Sequence, residues 1–114
     1  MSFLKKIISV FAGPRDEGLC ERSPQWSSVR SRYLIVHGSC AACGQDDRSR
    51  LAVHHVVPFH TEEGKALELD ESNLITLCED SCHLTFGHLK DWKSWNKDVR
   101  KDCERYLAKV RKRP

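Results

Sequence analysis

The sequence has little apolar material and no long apolar run. No stretch approaches the roughly 20 consecutive apolar residues that a membrane-spanning helix needs, so we predict no integral membrane association. The apolar stretch at residues 7–12 is also shorter than that of a secretory signal and precedes no clear cleavage site, which favours a cytoplasmic protein. Only 39% of the 114 residues are hydrophobic, so the core is small and a metal ion is expected to reinforce it.

The chain divides into a short leader and one domain. Residues 1–12 place their apolar side chains on one side of a helical wheel, which predicts an amphipathic helix, and residues 13–23 form a polar linker. We therefore assign residues 1–22 to a leader and linker, and residues 23–114 to the domain.

The C-terminal part of the domain is basic. Ten of the 19 Lys and Arg residues, but only four of the 16 acidic residues, lie in residues 90–114. A basic C-terminal helix on a near-neutral body indicates a polyanionic partner such as nucleic acid. A solvated helix rich in Lys and Arg has the same composition, so charge alone leaves both interpretations open.

Four of the six cysteines form two close pairs, Cys40-x-x-Cys43 and Cys78-x-x-x-Cys82. Thiolates two or three residues apart let one short turn present both sulfurs to one ion, and two such turns complete a tetrahedral zinc site. Two such pairs in a cytoplasmic chain predict a structural zinc ion, with buried or disulfide-bonded cysteines as the alternative. Cys20 and Cys103 are predicted to be unpaired thiols, Cys103 in the core.

Three histidines and an asparagine accompany these cysteines: His54, His55, Asn73 and His83. Histidines with an amide nearby suit an open metal site that acts on an oxygen atom. His54 and His55 end a predicted strand at residues 51–57, which pairs with a second strand at residues 73–78. Neighbouring side chains on a regular strand point to opposite faces, so His54 and His55 share a site only where the strand bends. We expect such a bend, which would bring His54, His55 and His83 together.

Four helical segments are predicted around these strands. Ser23 is predicted to be an N-cap and Pro24 the first residue of a helix that continues to residue 37. A helical turn is expected near residues 62–66, and a short helix from about Cys82. Asn96 is expected to cap a last helix. The buried stripe of that last helix is predicted to comprise Val99, Cys103, Tyr106, Leu107 and Val110.

Residues 24–107 resemble the HNH endonucleases. The matching motifs are Leu51-Ala-Val-His54-His55-Val-Val-Pro58, Asn73-Leu-Ile-Thr-Leu-Cys78 and Cys82-His83. The resemblance implies an α+β fold with a small ββα-metal core, a structural zinc site and flanking helices. It also implies that His54 and His83 bind a divalent cation and that His55 is the general base. Asn73 would either orient His55 or touch the metal.

Such a site would hydrolyse DNA phosphodiester bonds. A neutral imidazole at His55 can take a proton from the attacking water, which is worth roughly 10²–10⁴-fold in rate. The catalytic cation would polarise a phosphate oxygen; imidazole ligands suit Zn²⁺, Ni²⁺ or Mn²⁺, and Mg²⁺ remains open. His88 lies five residues after His83, roughly 140° away on an ideal helix. It becomes a ligand if Gly87 distorts or ends that helix; the alternative is that it supports a ligand or caps the helix.

The remaining candidates concern substrate contacts. Trp92 and Trp95 are predicted to pack the last helix onto the ββα unit, with stacking on nucleic acid as the alternative. His37 and His60 are predicted to be structural or surface residues. We expect little sequence preference, or a protein partner that supplies specificity. Phosphate contacts are expected from Arg30, Arg32, Lys90, Lys93, Lys97, Arg100 and Lys101.

Two other functions remain open at this point. One is a non-catalytic, zinc-stabilised module that binds nucleic acid, which needs the four thiols but not the base at His55. The other is a redox thiol switch, against which stoichiometric zinc would argue.

Overall fold

The computed structural model describes residues 22–112. The predicted N-terminal amphipathic helix therefore lies outside the described residues, as does Cys20. Two antiparallel strands and several helices form a small α+β fold, as predicted. The elements are helix α1 (Trp26–Val36), strand β1 (Leu51–His55), helix α2 (Glu62–Ala66), strand β2 (Leu74–Cys78), a π-helix (His83–Gly87) and helix α3 (Val99–Arg111), with short 3-10 turns at Arg48–Arg50 and Glu71–Asn73.

Strands β1 and β2 form an antiparallel pair at the centre of the fold. Leu51 pairs with Cys78 at one end of the ladder, and His55 pairs with Leu74 at the other. All residues of both strands are buried, because helices cover the two faces of the pair. β1 ends at His55, two residues before the predicted end. The predicted helical turn in the connection is confirmed as α2, whose start is capped by the Thr61 hydroxyl accepting from the Gly64 N–H at 2.9 Å.

Helix α1 packs its apolar side chains on the strand pair. Trp26, Val29 and Tyr33 are buried, and the Tyr33 hydroxyl donates a hydrogen bond to the Leu74 carbonyl at 2.8 Å. The helix begins at Trp26, so the prediction that Ser23 is its N-cap is wrong. Ser23 instead closes a turn before the helix, where its hydroxyl accepts from the Gln25 N–H at 3.1 Å.

Helix α3 closes the other side of the core. Val99 and Cys103 are fully buried, as predicted, whereas Tyr106 is 42% exposed and contacts the Phe86 ring. The predicted cap at Asn96 is wrong, because the helix starts only after Asp98. The side-chain amide of Asn96 instead donates to the Phe86 carbonyl at 3.0 Å, and this hydrogen bond joins the π-helix to the segment before α3. None of the helices in residues 22–112 has the length and apolar character that crossing a membrane would need.

Candidate functional site

Cys40, Cys43, Cys78 and Cys82, hereafter the sulfur cluster, come together between the first loop and the end of the strand pair. Their sulfur atoms all lie within 4.8 Å of one another, and none of the five cysteines in the described residues forms a disulfide. The turn that carries the first pair needs Gly44, which has a φ of 84°. Four converging thiols at this separation form a group that could hold zinc.

Backbone N–H groups point at the sulfur atoms. The Cys43 N–H donates to Cys40 Sγ at 3.4 Å, and the Cys82 N–H donates to Cys78 Sγ at 3.5 Å. Although burial opposes ionisation, N–H groups of Cys82 and Ser81 lower the pKa of Cys78 to about 7. Burial and the neighbouring thiols instead raise the pKa of Cys82. The four groups cannot all ionise without a cation to offset their repulsion, so their chemistry fits a divalent metal ion.

His54, His83 and His88, hereafter the imidazole trio, form a second cluster. One ring nitrogen from each lies within 4.8 Å of the others, and the ring centroids are 4.8–5.1 Å apart. His54 is 3% exposed, and its Nε2 has no hydrogen-bond partner. The buried Nδ1 of His83 makes no hydrogen bond either, but it lies 3.6 Å from Oε1 of Glu79. A buried imidazole nitrogen rarely lacks a partner, so the orphaned Nε2 of His54 fits a metal-ion site.

The π-helix explains why His88 joins this cluster. On a regular α-helix, His83 and His88 would point in different directions, but a π-helical turn bonds residues five apart and so brings them to one face. Gly87 lets this turn pass the His54 ring, because a Cβ at Gly87 would lie 3.0 Å from the ring atom Cε1. The sequence showed the five-residue gap and the glycine, but not that the helix would widen.

The environment keeps the His54 and His88 imidazoles neutral. Burial, reinforced by repulsion from His83 and His88, lowers the pKa of His54 to about 2. Burial also lowers the pKa of His88, whose Nδ1–H donates to the Ser94 carbonyl at 2.7 Å. This hydrogen bond fixes the tautomer of His88 and leaves its Nε2 lone pair for a ligand. Neutral imidazole is the form that binds metals.

His55 does not join the imidazole trio. No bend occurs before His55, so its ring lies on the opposite face of β1 from the His54 ring, and our prediction that His54, His55 and His83 converge is wrong for His55. The His55 ring packs against Trp26 with centroids 4.6 Å apart, and its Nε2–H donates to the Glu68 carbonyl at 2.9 Å. Burial lowers the pKa of His55.

Asn73 acts on the backbone that follows His55. Its side-chain Oδ1 accepts from the Val57 N–H at 2.9 Å, and its Nδ2 donates to the Val57 carbonyl at 3.1 Å. The Asn73 carbonyl accepts from the Val56 N–H at 2.8 Å. Asn73 therefore holds the chain directly after His55 in place. These contacts differ from the two expected ones, a hydrogen bond to the His55 ring and a contact with the metal.

Several other candidates lie apart from the imidazole trio. His37 stacks on Tyr33, and His60 meets the edge of Trp95. Of the expected phosphate contacts, Arg100 is engaged within the protein, where it donates to the Leu74 carbonyl at 3.0 Å. Lys90, Lys93, Lys97 and Lys101 are exposed.

Sequence reasoning missed Arg22, Glu68 and Ser94. The Arg22 guanidinium lies over the rings of Trp26 and Phe59, 5.1 Å and 4.6 Å from their centroids, and its charge opposes protonation of His55. Glu68 and Ser94 accept the hydrogen bonds of His55 and His88 through their backbone carbonyls, so no side-chain pattern in the sequence could have indicated these bonds.

Two antiparallel strands followed by a helix that supplies buried imidazoles define a ββα-metal type of domain. Residues 40–89 match the family model of the HNH endonucleases, which confirms the resemblance seen in the sequence. This segment contains both strands, the sulfur cluster and the imidazole trio, and it indicates a nuclease or nucleic-acid-binding role. Searches of curated proteins and of solved structures gave no match.

Proposed function

We propose that the protein is a metal-dependent endonuclease that hydrolyses DNA phosphodiester bonds. The observation that carries this proposal is the imidazole trio, whose ring nitrogens converge beside the first strand of a ββα unit and include the orphaned Nε2 of His54. The ligands would be His54, His83 and His88, and the base would be His55. Bound there, a divalent cation such as Zn²⁺, Ni²⁺, Mn²⁺ or Mg²⁺ would polarise a phosphate oxygen and stabilise the leaving oxygen.

The environment of His55 suits a general base. A carbonyl can only accept a hydrogen bond, so the Glu68 carbonyl requires the Nε2–H tautomer of His55 and leaves the lone pair on Nδ1. Burial lowers the pKa of this imidazole, which keeps the lone pair free at neutral pH. In this proposal Nδ1 takes the proton of the attacking water.

The position of His55 at the end of β1 supports the same assignment. His54 and His55 are consecutive, so their Cα atoms are about 3.8 Å apart although their rings lie on opposite sides. The strand ends there, and Asn73 fixes the next two residues. A phosphate group at this strand end would meet the imidazole trio on one side and His55 on the other. The Arg22 guanidinium beside His55 would complement the negative charge of that phosphate group.

A plasmid-nicking assay tests the proposal. The purified protein, loaded with zinc, is assayed with Mn²⁺, Ni²⁺, Mg²⁺ and additional Zn²⁺ in turn, next to the His55→Ala and His60→Ala variants. His55→Ala should lose roughly 10²–10⁴-fold in rate while keeping its zinc content and fold, and added imidazole should restore part of the activity. His60→Ala, a histidine outside the trio, should cut like the wild type.

The two parts of the proposal fail in different ways. If His55→Ala cuts at the wild-type rate, His55 is not the base. If wild-type protein free of contaminating nuclease cuts no nucleic acid with any of the four cations, the endonuclease proposal is wrong.

The second candidate is a non-catalytic, zinc-stabilised module that binds nucleic acid. Its support is the burial of His55, which is 7% exposed and packs against Trp26. Nucleic-acid binding by protein that never cuts would favour this candidate.

A further inference from the structure

Trp92 is an exposed aromatic side chain next to the imidazole trio. Its ring lies 5.1 Å from the His83 ring and 4.8 Å from the His88 ring, measured between centroids, and the side chain is 57% exposed. The expectation that Trp92 packs in the core is therefore wrong. Leu89, one residue after His88, is 54% exposed as well. The two side chains give residues 89–93, hereafter the tryptophan loop, an apolar surface beside the trio.

The backbone holds the tryptophan loop in an unusual conformation. Leu89 and Lys90 have φ values of 55° and 68°, in the left-handed region that non-glycine residues seldom adopt. Hydrogen bonds fix it there: the Lys90 N–H donates to the Leu84 carbonyl at 2.8 Å, and the Asp91 N–H donates to the His88 carbonyl at 3.0 Å. Strained backbone that is held this way clusters at ligand sites. These hydrogen bonds therefore hold Leu89 and Trp92 in fixed, exposed positions.

The charges of the tryptophan loop complement a nucleic acid. Lys90 lies between Leu89 and Trp92 in the sequence, Lys93 follows Trp92, and both lysines are exposed. The single acid of the loop, Asp91, is exposed, and its carboxylate accepts a hydrogen bond from the Lys93 N–H at 3.0 Å. Lysines interleaved with an exposed aromatic ring bind the backbone and the flat face of a nucleotide at the same time.

We propose that the tryptophan loop stacks an unpaired base next to the phosphate to be cut, so the preferred substrate is single-stranded or locally melted DNA. In an intact duplex the faces of the bases are stacked on one another, and Trp92 would have no base face to contact. This inference rests on the proposed function for the identity of the site. Its test measures binding, which does not require cutting.

The experiment measures binding of zinc-loaded protein to a fluorescently labelled 12-nucleotide single strand and to the matching duplex by anisotropy, without added catalytic cation. Wild type should bind the single strand more tightly. Trp92→Ala should weaken single-strand binding by about 5- to 150-fold, with a much smaller effect on duplex binding. Trp92→Phe should keep most of the affinity, because it keeps an aromatic face. Ile35→Ala, which truncates another exposed apolar side chain on α1, should change neither.

Because Trp92 contacts two imidazoles, the variants are also titrated with Mn²⁺ at the trio. If Trp92→Ala also loses cation affinity, its weaker DNA binding could come from the metal site. In that case the Trp92→Phe and Leu89→Ala variants test the inference, and Leu89→Ala should weaken single-strand binding selectively. Preference of wild type for the duplex, equal losses on both substrates, or no loss in Trp92→Ala and Leu89→Ala would overturn the inference. Single-strand preference without any cutting would contradict the endonuclease proposal alone, and cutting without single-strand preference would contradict this inference alone.

Discussion

Replacing Gly87 with alanine tests whether the π-helix must pass this close to His54. An alanine Cβ would lie 3.0 Å from Cε1, 3.1 Å from Nδ1 and 3.2 Å from Nε2 of the His54 ring. Ordinary carbon contacts are about 3.5–4.0 Å long, so the ring or the turn has to move by several tenths of an ångström. We expect Gly87→Ala to fold and to keep zinc in the sulfur cluster, but to bind a divalent cation at the trio more weakly.

The size of this effect follows from the rotation of one side chain. Turning His54 by about 30° away from its preferred rotamer costs about 0.5–1.5 kcal/mol. If the cation requires the original orientation, its dissociation constant rises by about 2- to 13-fold. Isothermal titration of zinc-loaded protein with Mn²⁺ or Ni²⁺ measures this change, and elemental analysis counts the zinc that stays in the sulfur cluster.

Gly38→Ala is the matched control. A Cβ at Gly38 would also be crowded, 3.1 Å from the Leu34 carbonyl oxygen, but its close neighbour is backbone at the end of α1 rather than an imidazole. We expect this variant to keep wild-type cation affinity. The packing argument is refuted if Gly87→Ala binds the cation like the wild type, or if Gly38→Ala loses the same affinity.

Two further substitutions separate the metal sites. Cys82→Ser should release the structural zinc and lower the melting temperature, because metal binding and folding are coupled, whereas Cys103→Ala should keep one zinc per chain; elemental analysis and circular dichroism measure both. Retention of zinc by Cys82→Ser at the wild-type melting temperature would exclude sulfur ligation at that residue. His88→Ala should weaken cation binding at the trio in a titration, because one of three imidazoles is lost, while His60→Ala should not. Equal affinities of these two variants would remove His88 from the site.

The sequence predicted the strand pair and the sulfur cluster because both depend on local signals. The β-branched run from Leu51 ends near Pro58, and close thiol pairs leave few ways to satisfy four ligands around one ion. The ends of the helices were harder to predict. Ser23 and Asn96 have typical capping side chains, yet α1 begins at Trp26 and α3 at Val99; each side-chain oxygen instead accepts from the N–H two residues on, in a turn before the helix.

The histidines show where sequence reasoning stops. The place of His88 depends on a π-helical turn, for which the spacing of His83 and His88 gave only an indication. The place of His55 depends on whether β1 bends before it: the strand stays regular through His55, so its ring lies on the face opposite the His54 ring. Trp92 was assigned to the core because a large aromatic residue usually buries its surface, and only tertiary structure shows it outside.

The sulfur cluster and the imidazole trio are joined by a single peptide bond, because Cys82 and His83 are consecutive. Cys82 lies directly before the π-helix and His83 is its first residue, so the position of Cys82 fixes the direction of the His83 imidazole. If the sulfur cluster holds an ion, a chain without that ion would lose the fixed start of the π-helix, so we expect the trio to lose its affinity for a cation as well. Weak chelators would reversibly empty the second site, whereas chelators that reach the first would empty both, and recovery would then require refolding.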